Sequence, residues 1–406
     1  MFYEFPKISH IDDVLPAIEG EDAFIVAKRD YGTVVNYRQM GTDVFPPVHT
    51  AGGSARMRAE ATRAKAIRRE CRGLIFNLEG ELISRPYSKF FNVGERDETL
   101  PEKVPFDQPH VILEKLDGSM IRPVTMPDGG MVMGTKMGPT DVAAQVDPWV
   151  AEHENYVKFM QEVMQQGYTP IFEWCSRKQQ IVVDHPEDRL VLTAVRDVLT
   201  GEYMTYTMLQ DLALDYDLDL VRQFEGSAES MQWLINHTRD LKGAEGYVLR
   251  WMNGHMVKIK ADEYCQIHRA KEGIMRENGV ISMILEEKLD DVLPVLSSQD
   301  RAQLENFQTA FWLGVRNTEM QWRTAYLQVR REFGHDRKQF ALERAALLEQ
   351  HLRGAIFRAW DDADFDWRAA VLDAVTKNLS TGVKTNAARH LWGNAKWEFG
   401  LMQEDA

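Results

Sequence analysis

Cysteine is scarce in this chain of 406 residues: only Cys71, Cys175 and Cys265 occur, far apart. None belongs to a C-x-x-C pair or has histidines at zinc-ligand spacing, so neither a zinc ribbon nor a disulfide framework is expected, and buried thiols in a reducing compartment are the reading. Long apolar runs are also missing. No segment approaches the roughly 20 apolar residues a membrane helix needs. The N-terminal MFYEFPKISHIDD has no basic stretch leading into a hydrophobic one, which points to a cytoplasmic chain rather than a secreted one. Neither a fixed-period repeat nor a low-complexity linker is found. Positive charge is in deficit as well: 48 Lys and Arg against 62 Asp and Glu give a formal net charge of −14. That balance argues against a non-specific nucleic-acid coat protein but leaves room for a local basic patch. One candidate is Arg56, Arg58, Arg63, Lys65, Arg68, Arg69 and Arg72, with only Glu60 and Glu70 among them. It reads either as a solvated helix face or as a phosphate-facing patch. The 11 histidines are scattered and the 19 methionines are read as core filling, so neither marks a cofactor.

What is present divides into two regimes. Up to about Ala261, short β-like runs alternate with turn signals and helical patterns. The runs are Phe24–Lys28, Gly73–Asn77, Val111–Lys115, Met131–Thr135, Pro170–Trp174, Arg189–Arg196, Tyr247–Trp251 and Met256–Lys260. Asp128-Gly129 and Asn253-Gly254 mark tight turns, and helices are expected around 149–166 and 228–240. This predicts an α+β fold with antiparallel sheets over residues 1–262. Beyond, over residues 263–406, apolar residues recur at helical spacing with few glycines or prolines, which predicts an all-helical domain. Helices are expected over 299–315, 319–333 and 336–360, with Ser298 capping the first.

Chemistry concentrates in Glu114-Lys115-Leu116-Asp117-Gly118-Ser119. A lysine at the mouth of a buried strand, just before an Asp-Gly turn, can be partly desolvated and act as a nucleophile. K-x-D-G alone arises by chance in roughly one chain of this length in ten, so the downstream segments decide its meaning. Four follow in order. Glu173 sits in the apolar strand Ile171–Trp174, and Arg196-Asp197 ends another strand. Glu245 opens the strand Gly246-Tyr247-Val248, and Lys258 and Lys260 share one strand face. Each has a bland reading, an edge carboxylate or a solvated lysine pair. Together they supply a nucleophile (Lys115), cations for a triphosphate and its leaving pyrophosphate (Lys258, Lys260), and carboxylates for a metal or ribose (Glu173, Glu245).

The order KLDGS, FEW, LTAVRD, EGYV, VKIK resembles motifs I, III, IIIa, IV and V of the covalent nucleotidyltransferases. Within them the chain is most similar to the phage RNA ligase 1 family, over roughly residues 20–265. Glu70-Cys-Arg-Gly-Leu-Ile-Phe76 and Arg85-Pro-Tyr-Ser-Lys-Phe-Phe-Asn92 resemble that family's flanking segments. The resemblance implies the following roles. Lys115 forms the lysyl-AMP, and Asp117 steers the ribose or adenylate. Arg72, Lys89, Lys258 and Lys260 contact the triphosphate of ATP, and Lys136 matches a further essential lysine. Glu173 binds ribose or metal, and Glu245 places the catalytic metal, Mg²⁺ with Mn²⁺ as a substitute. One departure is that LVLTAVR lacks the aromatic that stacks on adenine in many relatives, so the residue covering the base is open.

The implied activity is ATP-dependent joining of 5′-phosphate and 3′-hydroxyl ends of single-stranded RNA or a nicked tRNA. It would operate in the bacterial host cytoplasm if the chain is phage-encoded, with no membrane and no protein partner. The helical domain would serve RNA specificity. Two alternatives stand beside it. DNA ligases and capping enzymes also carry K-x-D-G but usually follow motif V with a β-barrel, where this chain reads helical. A non-catalytic RNA-binding protein with a ligase-like fold would not need the intact lysines and glutamates.

Overall fold

The computed structural model describes residues 2–38, 44–49 and 54–398. The chain divides into two compact units, one running to Cys265 and one from Gln266. The first is α+β and nearly all its strand pairing is antiparallel. Strands β1 (Phe24–Arg29), β2 (Gly32–Tyr37), β3 (Leu74–Phe76) and β4 (Leu82–Ser84) form one sheet in that order. Strands β5 (Phe91–Asn92), β6 (His110–Lys115), β7 (Ser119–Thr125), β8 (Met131–Gly134), β9 (Tyr168–Cys175), β10 (Arg189–Asp197), β11 (Gly246–Trp251) and β12 (Met256–Lys260) make two more. Their orders are β10-β9-β7-β8 and β5-β12-β11-β6, with β5 parallel to β12.

The turn signals act where expected. Asp128-Gly129 closes the β7–β8 hairpin, and Asn253-Gly254 closes β11–β12. In register, Gly246 faces both Lys115 and Lys260, and Val248 faces both Leu113 and Lys258. The site-bearing ends of β6, β11 and β12 therefore lie side by side. The β9–β10 sheet is backed by the helix Glu154–Gln165, whose Phe159, Met160 and Val163 pack with Phe172, Leu190 and Leu192. That helix is separate from Asp147–Ala151, where one continuous helix was expected; His153 turns out of helical geometry, and its ring stacks on Trp149 at 3.6 Å.

A buried charge cluster ties three sequence-distant segments together. Glu70 lies between Arg85 (3.1 Å) and Arg196 (2.8 Å), all three side chains shielded from solvent. Arg85 also donates to the carbonyls of Pro6 and Leu199, and Arg196 to those of Pro86 and Gly201. Burial pushes the Glu70 carboxyl up, but the two guanidiniums outweigh it and hold it below the usual range.

The second unit is helical; among the described residues no strand follows Lys260. Its core gathers Phe307, Phe311, Val315, Trp322, Ile356, Val371 and Trp392. The two helices expected at 299–315 and 319–333 are one helix of 36 residues, Ser298–Phe333, since no glycine or proline breaks the intervening Arg316-Asn-Thr318. Ser297 rather than Ser298 caps it: its side chain accepts from the Asp300 N–H at 3.1 Å. The region expected as one helix at 336–360 is split into Arg337–Glu343 and Gln350–Ala359, with a 3₁₀ turn at Ala345–Leu347 between them.

Candidate active site

Strand β6 delivers Lys115 to its end, and the chain then turns through Leu116-Asp117-Gly118 into β7. Gly118 is required there, because a Cβ would collide with the carbonyl oxygen of Trp174 on β9. On the neighbouring strand, Gly246 has φ +144° and lies against the Ile259 carbonyl, a position no larger residue could occupy. That close approach places the preceding Glu245 between two lysines. Its Oε2 meets Lys115 Nζ at 2.8 Å and its Oε1 meets Lys260 Nζ at 2.9 Å. Glu245 is buried. Burial alone would raise its carboxyl, yet Lys115 and Lys260 together hold it low.

Of these three groups Lys115 borders a cavity of about 960 Å³. Arg72, Lys115, Lys136, Glu173 and Lys258 line it, together with Tyr37. Lys258 is half-buried. Burial, with the positive charge of Lys115, Lys89, Lys260 and Arg72 added, pushes its ammonium down to about 7. Its Nζ stands 5.6 Å from the centre of the Phe90 ring. Glu173 on β9 moves the other way. Burial drives it up, Lys115 opposes, and the charges of Glu245 and Asp117 add to the rise, leaving it at about 8. A buried carboxylate raised in this way fits a divalent cation, since it offers the hard oxygen donor that Mg²⁺ and Mn²⁺ take. Glu245 fits less directly, because each of its oxygens already holds a lysine. Among the described residues no cluster of three His, Cys, Asp or Glu could cage a metal, so most of any ion's ligands would be water and substrate oxygens.

Four expected site residues stand outside the cavity wall: Glu245 and Lys260, which pair just behind Lys115, and Lys89 and Asp117. Lys89 is buried among rings, 5.5 Å from that of Tyr37, 6.0 Å from Phe45 and 5.2 Å from Phe91; burial is the main cause of its lowered pKa. Asp117 is buried and fully engaged. Its Oδ2 accepts the N–H groups of Val182 (2.7 Å) and Val183 (2.6 Å), and its Oδ1 accepts the Tyr264 hydroxyl (2.7 Å). Its carbonyl meets His185 Nε2 at 2.6 Å. In this geometry the carboxylate pins the turn after Lys115 to the segment following β9.

Sequence reasoning missed Tyr264 and Tyr37. Tyr264 bridges Asp117 to the lysine strand, with Lys260 Nζ 5.0 Å from its ring centre. Burial raises the Tyr37 phenol, but Arg72, Lys89 and Lys136 together bring it below its ordinary value. Neither tyrosine lies in a motif, so no sequence signal marked them. Thr193 stands at a β-bulge of β10, donates to the Ile171 carbonyl at 2.9 Å and lines the cavity; Tyr87 and Phe90 supply aromatic wall. The basic run at 56–72 lies mostly on the helix Ala55–Glu70 and is largely spent on its surroundings. Arg56 pairs with Glu60, Arg63 with Asp13, Arg68 with Glu21 and Arg69 with Glu98. Of that run, Arg72 is the one on the cavity wall.

Residues 70–264 match the sequence model of the family described as RNA ligase. A Thermovibrio ammonificans protein named "Putative RNA ligase" is 26% identical over 296 residues, 71% of this chain and 72% of its own length. RNA ligase 1 of Bacteriophage TS2126 is 26% identical over 245 residues, 57% of this chain and 59% of its own. Among solved structures, an archaeal ATP-dependent RNA ligase aligns with a TM-score of 0.46 and 16% identity, over 72% of this chain and 75% of that one.

Proposed function

Residues 70–264 belong to the RNA ligase family, and from that premise we propose that this chain is an ATP-dependent RNA ligase working through Lys115. One observation carries the reading: in a chain of net charge −14, Arg72, Lys115, Lys136 and Lys258 converge on one cavity, with Lys115 clasped by Glu245. Such a cradle suits a triphosphate.

Lys115 Nζ, once deprotonated, attacks the α-phosphorus of ATP. The P–O bond to the β-phosphate breaks and pyrophosphate leaves, giving a lysyl-AMP phosphoramidate. The 5′-phosphate of an RNA then attacks that phosphorus and releases Lys115, forming A(5′)pp(5′)RNA. Finally a 3′-hydroxyl attacks the RNA phosphorus, closes the phosphodiester and expels AMP. Lys258, Arg72 and Lys136 offset the negative charge, while Glu245 orients Lys115 between Lys260 and the cavity. A divalent cation held by Glu173 would add charge compensation for the phosphates. Recognition through phosphates and 2′-hydroxyls would make sequence preference slight and single-stranded or nicked RNA, tRNA included, the substrate. The helical unit, in place of a β-barrel, favours this over a DNA ligase or capping enzyme.

The test is incubation with Mg²⁺ and ATP labelled on the α-phosphate, with Lys115→Ala as control. Acid-labile label on the wild type alone, discharged by 5′-phosphorylated RNA rather than DNA, is expected. A wild type that takes no label but binds RNA would make the chain a non-catalytic RNA-binding protein.

A further inference from the structure

Strand register orders the walls of the cavity. On the sheet that carries Lys115, Gly246 pairs with Lys115 and Lys260, and Val248 pairs with Leu113 and Lys258. Next along the same face, Arg250 pairs with Val111 and Met256, about 13 Å beyond Gly246. The opposite wall runs in the same order. Glu173 pairs with Val191, and Thr193, at the bulge of β10, lies two residues further on. Its hydroxyl donates to the Ile171 carbonyl at 2.9 Å. The half-buried Tyr87 lies near both walls. Burial pushes its phenol up, while the Thr193 hydroxyl and the Arg250 guanidinium pull it back.

Arg250 is the unusual group at this end. It lines the cavity yet is only 3% exposed. Its Nη2 donates to the Met204 carbonyl, and its guanidinium stands 5.3 Å from the centre of the Tyr203 ring. Its Nη1 has no hydrogen-bond partner, and burial lowers its pKa with only Tyr87 and Tyr203 opposing. Arg85 and Arg196, equally enclosed, share the Glu70 carboxylate instead. Thr193 offers the opposite chemistry. Its one proton is spent on Ile171, so its hydroxyl has only lone pairs left for the cavity it lines.

We propose that this end holds the adenine of ATP against Val248, with Arg250 donating to the ring nitrogen beside the 6-amino group and Thr193 accepting from that amino group. This rests on the ATP-dependent ligase reading and adds the residues that choose the base. A donor next to an acceptor complements adenine, which sets a ring-nitrogen acceptor next to an amine donor. Guanine sets its O6 acceptor where Thr193 needs a donor. The base also brings Nη1 the acceptor it lacks. Thr193 stands in the strand from which the stacking aromatic is missing, so a polar contact to the base edge takes the place of stacking there. An Arg250 that merely ties down the Met204 carbonyl would affect stability and leave base preference untouched.

The experiment follows self-labelling with ATP, GTP and two ATP analogues, in which N1 or N7 is replaced by carbon, all labelled on the α-phosphate. The proteins are the full-length wild type, Arg250→Met, Arg250→Lys and Thr193→Val, with thermal melts to check folding. In the wild type, one of the two analogues should need roughly tenfold more nucleotide than ATP for half-maximal labelling. Arg250→Met should lose a similar factor with ATP and no further factor with that analogue, and its preference for ATP over GTP should shrink about tenfold. Arg250→Lys should restore part of that preference, and Thr193→Val should narrow it. A wild type that takes ATP and both analogues alike overturns the proposal, and this arm needs no variant to fold. A folded Arg250→Met with unchanged base preference overturns it too. A wild type labelled equally by ATP and GTP overturns the base assignment and leaves the ligase reading standing, whereas one that no nucleotide labels sinks that reading itself.

Discussion

Lys258 should make nucleotide binding sensitive to pH in a direction that can be worked out. Burial and four neighbouring cations bring its ammonium down to about 7. It is then mostly charged at pH 6 and about 1% charged at pH 9. A bound triphosphate supplies the counter-charge that this cluster lacks and favours the protonated form. Affinity should therefore fall as pH rises, by up to roughly 100-fold between pH 6 and pH 9 if binding requires the ammonium. The assay is calorimetric titration with an ATP analogue whose α,β-bridging oxygen is a methylene, so that no group is transferred to Lys115. Lys258→Arg is the comparison, because a guanidinium stays charged throughout. Ionisation of the nucleotide and of Glu173 is common to both proteins and cancels in the difference. Wild-type affinity should fall more steeply than that of Lys258→Arg, and Lys258→Met should be weak at every pH. Equal slopes for wild type and Lys258→Arg would refute the reasoning.

Two further outcomes follow from the buried contacts. Glu70→Gln leaves the Arg85 and Arg196 guanidiniums enclosed without their counter-ion, which costs about 3–5 kcal/mol and lowers the melting temperature by roughly 10 °C. Because the Glu70 carboxyl is held low in the folded protein, its contribution is present above the ordinary carboxylate pKa and is lost as pH falls through the lowered one. The gap between wild type and variant in thermal melts should thus narrow in acid. Tyr264→Phe keeps the ring beside Lys260 but removes the donor to Asp117 Oδ1. Self-labelling with ATP should slow about tenfold while the half-saturating ATP concentration stays put, as expected for a residue that positions the Lys115 turn; an unchanged rate would show that Asp117 does not need it.

The site-bearing strands were legible because apolar runs bounded by Asp-Gly or Asn-Gly leave little choice of structure. β7 was not: in Ser119–Thr125 the charged Arg122 and then Pro123 interrupt the apolar run. Arg122 is in fact fully buried, donating to the Gly73 carbonyl and the Ser84 hydroxyl. The direction of Asp117 was hidden for a related reason. Spacing places a carboxylate two residues after Lys115, but its partners, Val182, Val183 and Tyr264, come from far along the chain. In the helical unit, periodicity was plain while breaks were not. Arg316-Asn-Thr318 continues a helix, and Arg344, with a backbone outside the helical range, ends one without glycine or proline.

The Glu70 cluster also bears on the order in which the molecule can be made. Its members come from positions 70, 85 and 196, and 126 residues separate Glu70 from Arg196. During synthesis the first two emerge long before the third, so the first sheet reaches the ribosome exit with only one of the two guanidiniums available to neutralise Glu70. Contacts of such sequence separation form slowly. The framework around the nucleotide cavity is thus completed only after β10 has been translated, and nascent chains shorter than that should lack ATP binding altogether rather than show it in proportion to their length.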